Sequence, residues 1–460
     1  MSASDSLETG GESHVTRQIA DWVASRSPGD IPARARTWAR HCLLDWMAVV
    51  VAGAAEPLAD LLRAEAAEDG AGPARLIGSA QTAGRAWAVL INGAASHALD
   101  YDDVNQMMHG HPTVAIMPAL LTAAEQCGAS GRDVLDAFVV GYEVACRIGR
   151  MTGDGHYHAG FHATGTVGTF GAAAGVARLI RLDARQTAHA LGIAAAQAAG
   201  LKSMFGTMTK PLHAGKAAQN GYLAARLAAR GYTANPDALE TAQGFWATQA
   251  PGARPAAMRP DPKAAFAIES NLFKYHAACY LTHSSIEACR KLRADHGFSA
   301  ADVKRVRLRV DEGHLAVCNI EEPEDGLQTK FSLRQTAAMA LGGIDTAAME
   351  SFSTENANRE DLVALRRKVR VEPRASAPQE RAQAEVVVDL ADGRALLQHA
   401  NVAVPASDLD WQWQSLAAKA RGLLAPRLGE TGTERILSLV DGFDDADRVT
   451  ELLEASREAP

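Results

Sequence analysis

Val303–Val310 reads VKRVRLRV, apolar and basic residues alternating at period two. That spacing puts one row of side chains into a core and the other into water, so the stretch predicts a half-buried strand. It also divides the chain. From about residue 15 to residue 250 the text is helical: apolar residues recur at helical spacing, Gly or Pro punctuates them, and no strand alternation shows. Ala119–Cys127 (ALLTAAEQC) stops at Gly128, and Gly131–Met151 carries a long apolar stripe. Thr164–Arg181 is crowded with Gly and Ala, which predicts a buried helix that neighbours approach closely. After a Pro-rich linker, Pro251–Pro262, strand text recurs at 368–372 (KVRVE), 385–390 (EVVVDL) and 395–404 (ALLQHANVAV). The last two are split by Ala-Asp-Gly-Arg, a hairpin signal. Helical stretches at 281–294 and 332–349 lie between the strands, and the pattern turns helical again from Trp411.

At 460 residues the chain exceeds what one core usually serves, so two domains are expected. The predicted class is mainly α, with an all-helical part and a smaller α+β part. A net charge of -8 argues against a nucleic-acid binder, which needs a basic footprint. The six cysteines include no CxxC pair, the pattern of a reduced, cytosolic protein. The N-terminal stretch MSASDSLETGGESH lacks the basic and apolar regions of a secretory signal. Apolar runs such as Trp46–Ala55 fall short of a membrane span.

Eight of the 15 histidines fall between His97 and His213. The stretch Leu99–Pro112 (LDYDDVNQMMHGHP) supplies Asp100, Asp102, Asp103, His109 and His111. A second cluster, Asp154–His162, includes His156, Tyr157 and His158. Lys210 precedes Pro211, and Lys274 stands between Phe273 and Tyr275, which suggests partial burial. A His that titrates near neutrality and a partly buried Lys are suited to taking or returning a proton, and two lysines can hold substrate carboxylates. A metal cage is the weaker reading of the Asp/His cluster, since no HExxH spacing and no cysteine joins it. Asp102 and Asp103 are read as helix caps or loop supports. GxSxG, Walker A and strand-borne GxGxxG patterns are absent.

These residues resemble the MmgE/PrpD family. The resemblance rests on LLDWMAVVVAG (43–53), HALDYDDVNQMMHGHPTVAIMPALL (97–121), GYEVACRIGR (141–150), HAGFHATGTVGTFGAAAG (158–175), TKPLHAGKAAQNG (209–221) and FKYHAACYLTHSSIEA (273–288). It implies a helical domain over 1–265, an α/β lid domain over 266–404, and a 405–460 segment packing back on the helical domain. It further implies a homodimer, no metal or organic cofactor, and an active site between the domains. Carried over by position, the catalytic residues would be Asp100, His111, His162, Lys210 and Lys274, with Asp100 orienting a histidine. Tyr157 with Lys210 is a possible pair flanking one carbon. His109, Cys279, His283 and Gln335 would line the substrate pocket. The implied activity is proton abstraction beside a carboxylate of a small di- or tricarboxylate. Dehydration leads; epimerisation, decarboxylation and carboxylate binding without catalysis are the alternatives. The chain has Val104 and Cys279 where decarboxylase-like relatives carry Thr and His, and Gln335 where many relatives carry Tyr.

Overall fold

The fold comes from a computed structural model that describes residues 14–27, 29–255, 264–377 and 380–457. Residues 1–13 of the N-terminal stretch and 256–262 of the Pro-rich linker lie outside the described residues.

The helical part is organised by six helices: α1 (Ala33–Gly53), α2 (Arg85–His97), α3 (Pro112–Cys127), α4 (Gly131–Thr152), α5 (Ala163–Leu179) and α6 (Thr209–Ala229). Local chemistry sets their ends. Pro112 opens α3 and Gly128, in the left-handed region, closes it. Ser130 and Asp133 form a capping box at the start of α4. α5 is the hub, packed against α3, α4 and α6 and buried along nearly its whole length. Its small residues set those distances. A Cβ at Gly141 of α4 would lie 2.5 Å from the Gly171 carbonyl oxygen, and one at Gly221 of α6 would lie 2.6 Å from the Ala173 amide. The predicted C-terminus at Arg181 falls two residues beyond the observed one, since Arg181 itself turns to φ 59°.

One expectation is corrected in this half. Ala74–Arg75 pairs antiparallel with Thr82–Ala83, a ladder of two residues per strand. Alternation cannot show over so short a run.

The second part carries a four-stranded sheet of β1 (Val303–Asp311), β2 (Val369–Arg374), β3 (Gln383–Leu390) and β4 (Ala395–Asn401), in the order β2-β1-β3-β4. β1 runs parallel to β2 and antiparallel to β3, which pairs antiparallel with β4. Val306, Leu308 and Val310 join Val386 and Val388 in the core. They lie beneath α7 (Tyr280–His296) and α8 (Leu333–Leu341), which pack on each other and on the sheet. The alternate residues of β1 form a charge ladder in solvent, with Arg305 bonded to Asp389 and Arg309 to Glu372 and Glu385, each at 2.8 Å. The helix expected over 332–349 stops at Leu341, because Gly342 and Gly343 follow and Gly343 takes φ 81°. The strand expected through 404 ends at Asn401.

α9 (Leu409–Asp441), interrupted at Gly429, returns to pack along α1. Two buried polar contacts fasten it: Lys419 Nζ to Asp45 at 2.6 Å and Gln412 Nε2 to His41 Nδ1 at 2.8 Å. Among the described residues no single helix is long and apolar enough to cross a membrane.

Candidate active site

Four helices begin at one place. His111 and His162 are the residues immediately before α3 and α5, Lys210 lies in the first turn of α6, and Cys279 immediately precedes α7. The positive end of each helix dipole therefore faces these side chains, a setting that favours anions.

Asp100 is the centre. It follows α2 in the left-handed region at φ 50°, which aspartate tolerates better than most residues. Lys210 Nζ lies 2.8 Å and Lys274 Nζ 3.1 Å from Asp100 Oδ1, and Lys274 also donates to the Asp100 carbonyl. Burial acts to raise the Asp100 carboxyl, but the two ammonium groups outweigh it and hold it well below the usual carboxylate range. Burial likewise opposes the charge on Lys274, yet Asp100 and Asp102 raise its affinity for the proton. Lys274 therefore remains a cation at neutral pH and serves as an electrostatic anchor rather than a base.

Asp102 sits between two imidazoles. His97 Nδ1 is 2.9 Å from its Oδ1, and His111 Nδ1 lies 2.8 Å from Oδ2 without hydrogen-bond alignment. His111 Nε2 stands 3.8 Å from Asp100 Oδ1. The carboxylate closest to the His111 ring is thus Asp102, and Asp102 is more than a cap. Burial drives His97 down to about 4, against the pull of Asp102, so its ring is neutral. His162 is also held well below the usual range, first by burial and then by the neighbouring cations and rings. Its Nδ1 meets His213 Nδ1 at 3.1 Å, and its face meets the edge of Phe205.

Tyr157 borders the same cluster. Lys202 Nζ lies 3.6 Å from its ring centre, and burial, with smaller pushes from Cys279 and Asp100, keeps the phenol protonated. The half-buried Cys279 donates its amide to the Lys330 carbonyl, and a hydrogen bond from the Cys318 thiol lowers its own thiol. Three pocket expectations fare differently. His109 sits at the rim, its Nε2 3.4 Å from Asp154 Oδ1. His283 packs against His276 and faces a separate cavity of about 690 Å³, shared with Tyr275, Glu287 and Trp411. Gln335 is not brought to the site: it is fully buried, its amide donating to Asn356 O and accepting from Arg366. Its helix spends that position inside its own core. The sequence reading also passed over His97 and His213; the latter lies three residues after Lys210, on the same helix face.

The sequence matches the MmgE/PrpD N-terminal domain over residues 17–257 and the MmgE/PrpD C-terminal domain over 276–445. The chain belongs to the MmgE/PrpD family. It is 27% identical over 390 residues to a cis-aconitate decarboxylase of Aspergillus terreus, an alignment spanning 79% of each chain. It is 28% identical over 375 residues to the human cis-aconitate decarboxylase, covering 78% of this chain and 76% of that one. A cis-aconitate decarboxylase-like protein of Aspergillus oryzae, oryM, is 32% identical over 314 residues, 64% of each chain.

In this MmgE/PrpD chain Val104 pairs its backbone with Leu272, through bonds of 2.8 and 2.9 Å, and so ties the Asp100 loop to the Lys274 segment. His97, Asp100, Asp102 and His111 offer one ligand atom each within 4.8 Å of one another, a grouping of metal-binding size. A divalent ion seated there would lie beside the Lys210 and Lys274 ammonium groups.

Proposed function

We propose that the protein is a cofactor-independent lyase that moves a proton beside a carboxylate of a small tricarboxylate, with dehydration of a 2-hydroxy tricarboxylate as the leading reaction. The observation that carries the reading is the pair of lysine ammonium groups on Asp100, set among four helix N-termini. A substrate carboxylate entering here meets the Lys210 and Lys274 ammonium groups, which it shares with Asp100. His111, backed by Asp102, takes the proton on the adjacent carbon, and Lys274 and Lys210 stabilise the negative charge that develops on the carboxylate. The departing hydroxide takes a proton from a neutral donor, a role assigned to Tyr157 or His162, both kept neutral chiefly by burial. The reverse sequence hydrates an alkene.

Decarboxylation is the second reading, favoured by the names of the relatives. The residues at 104 and 279, Val and Cys where decarboxylase-like relatives are expected to carry Thr and His, support dehydration over it. The test is an NMR screen in deuterated water of methylcitrate, citrate, cis-aconitate and iminodisuccinate, which reads dehydration, decarboxylation and epimerisation together. His111→Ala and Lys210→Ala are each expected to cut turnover by about 10²–10⁴-fold. Wild-type rates in both would remove the reading. Deuterium incorporation with no net product would point to epimerisation, and no exchange with any substrate to a carboxylate binder.

A further inference from the structure

Lys419 lies on α9, 145 residues after Lys274, yet its ammonium reaches the site's floor. All three of its protons are placed: on Asp45 Oδ1 at 2.6 Å, on the Tyr101 carbonyl at 2.6 Å and on the Lys274 carbonyl at 3.0 Å. Its Nζ also lies 3.9 Å from the centre of the Tyr101 ring. Lys419 and Asp45 side chains are each 2% exposed, so this is a dry ion pair between α9 and α1.

The two carbonyls it grips belong to segments that run antiparallel. Val104 and Leu272 exchange both backbone hydrogen bonds, and from that bridge Asp102 comes opposite Lys274 and Tyr101 opposite Tyr275. The chain leaves strand geometry there, since Asp100 is left-handed. At that end no ladder hydrogen bond joins the segments. The Lys419 ammonium bonds both instead, one residue from Asp100 on one side and on Lys274 itself on the other.

We propose that Lys419 is a positioning residue: it clamps the Asp100 loop to the Lys274 segment and so sets the distance between the Asp100 carboxylate and the Lys274 ammonium. The part of the proposal that concerns catalysis rests on the function proposed above; the clamp itself does not, and the experiment separates them.

The variant is D45N/K419M, which removes both charges together and leaves no stranded buried ion. Hydrogen–deuterium exchange is read at the amides of Val104 and Leu272, with amides of α4 and α5 as internal controls. The clamp predicts exchange faster by about tenfold or more at those two amides with the controls unchanged. Exchange within about twofold of wild type overturns it, whatever happens to turnover. Faster exchange with an unchanged kcat overturns the positioning role, because a loosened site would then work as well. Faster exchange with kcat reduced about tenfold or more, and KM changed less than kcat, is the supporting result.

Should the double variant fail to fold, native-state exchange of the wild-type protein decides. The amides of α9 around Lys419 and those of Val104 and Leu272 should open as one unit, with the same denaturant dependence. Opening of α9 while Val104 and Leu272 stay protected overturns the clamp.

Discussion

Asp103 stands one position beyond the carboxylate that braces His111, yet its charge state is opposite. Burial, with smaller contributions from Asp45 and Asp102, pushes its carboxyl up to about 8 against the hydrogen bond from Thr113. The folded protein therefore keeps a proton there that the unfolded chain releases near the ordinary carboxyl value of 3.8. Stability from this group is complete below about pH 4 and is lost as pH rises toward about 8. Asp103→Asn has no such proton to lose. Thermal unfolding at about pH 5 and about pH 8 should show the variant gaining on wild type as pH rises, by an amount on the order of a few kcal/mol. A gap that stays constant across that range would mean that Asp103 is ionised in the fold. The buried His97 acts at the other end: neutral in the fold and titrating at about 4, it withdraws stability as pH falls from about 6.5 toward 4. At this scale, the sequence marks Asp100, His111, Lys210 and Lys274 because only charged types can do their work. It hides the difference between Asp102 and Asp103, two identical side chains of which one faces His97 and His111 and the other Thr113 and Asp45.

Helices α4, α5 and α6 meet where side chains are missing. Gly221→Ala puts a methyl 2.4 Å from the Ala172 Cβ and 2.6 Å from the Ala173 amide, so α6 must move off α5. Overpacking of this kind costs about 1–3 kcal/mol, and the melting temperature should fall accordingly. Because α6 carries Lys210 in its first turn, carboxylate affinity should weaken as well, which calorimetric titration with citrate checks. An unchanged melting temperature would show that the crossing has slack. The Gly- and Ala-rich text of 164–181 announces such packing, just as VKRVRLRV announces a strand with one wet face. What the text does not announce is where helices stop and start for tertiary reasons. The two-residue ladder at Ala74 is too short for alternation to show, whereas the arrest at Gly342–Gly343 is written in the two glycines themselves. Gln335 illustrates the same limit, since which face of α8 is inward depends on the sheet beneath it.

Over the whole molecule, the groups around Asp100 come from the N-terminal matched domain and from Lys274, which lies between the two matches, and α9 comes back across the chain to touch the Lys274 carbonyl. Periodicity shows that helical text resumes at Trp411, but no periodicity could say that Lys419 reaches the Tyr101 and Lys274 carbonyls. The homodimer implied by the family resemblance is a proposal that sedimentation equilibrium can test: twice 48.6 kDa is expected, and a single-chain mass would withdraw it. The convergence of four helix starts has a consequence of its own. A site whose attraction for anions resides partly in peptide groups keeps that attraction when side chains change, because no substitution deletes a backbone amide short of proline. Affinity for carboxylates and the choice of bond to break are then inherited separately. On the function proposed above, a change at a site side chain such as Cys279 would redirect the reaction while the same kind of acid still docks.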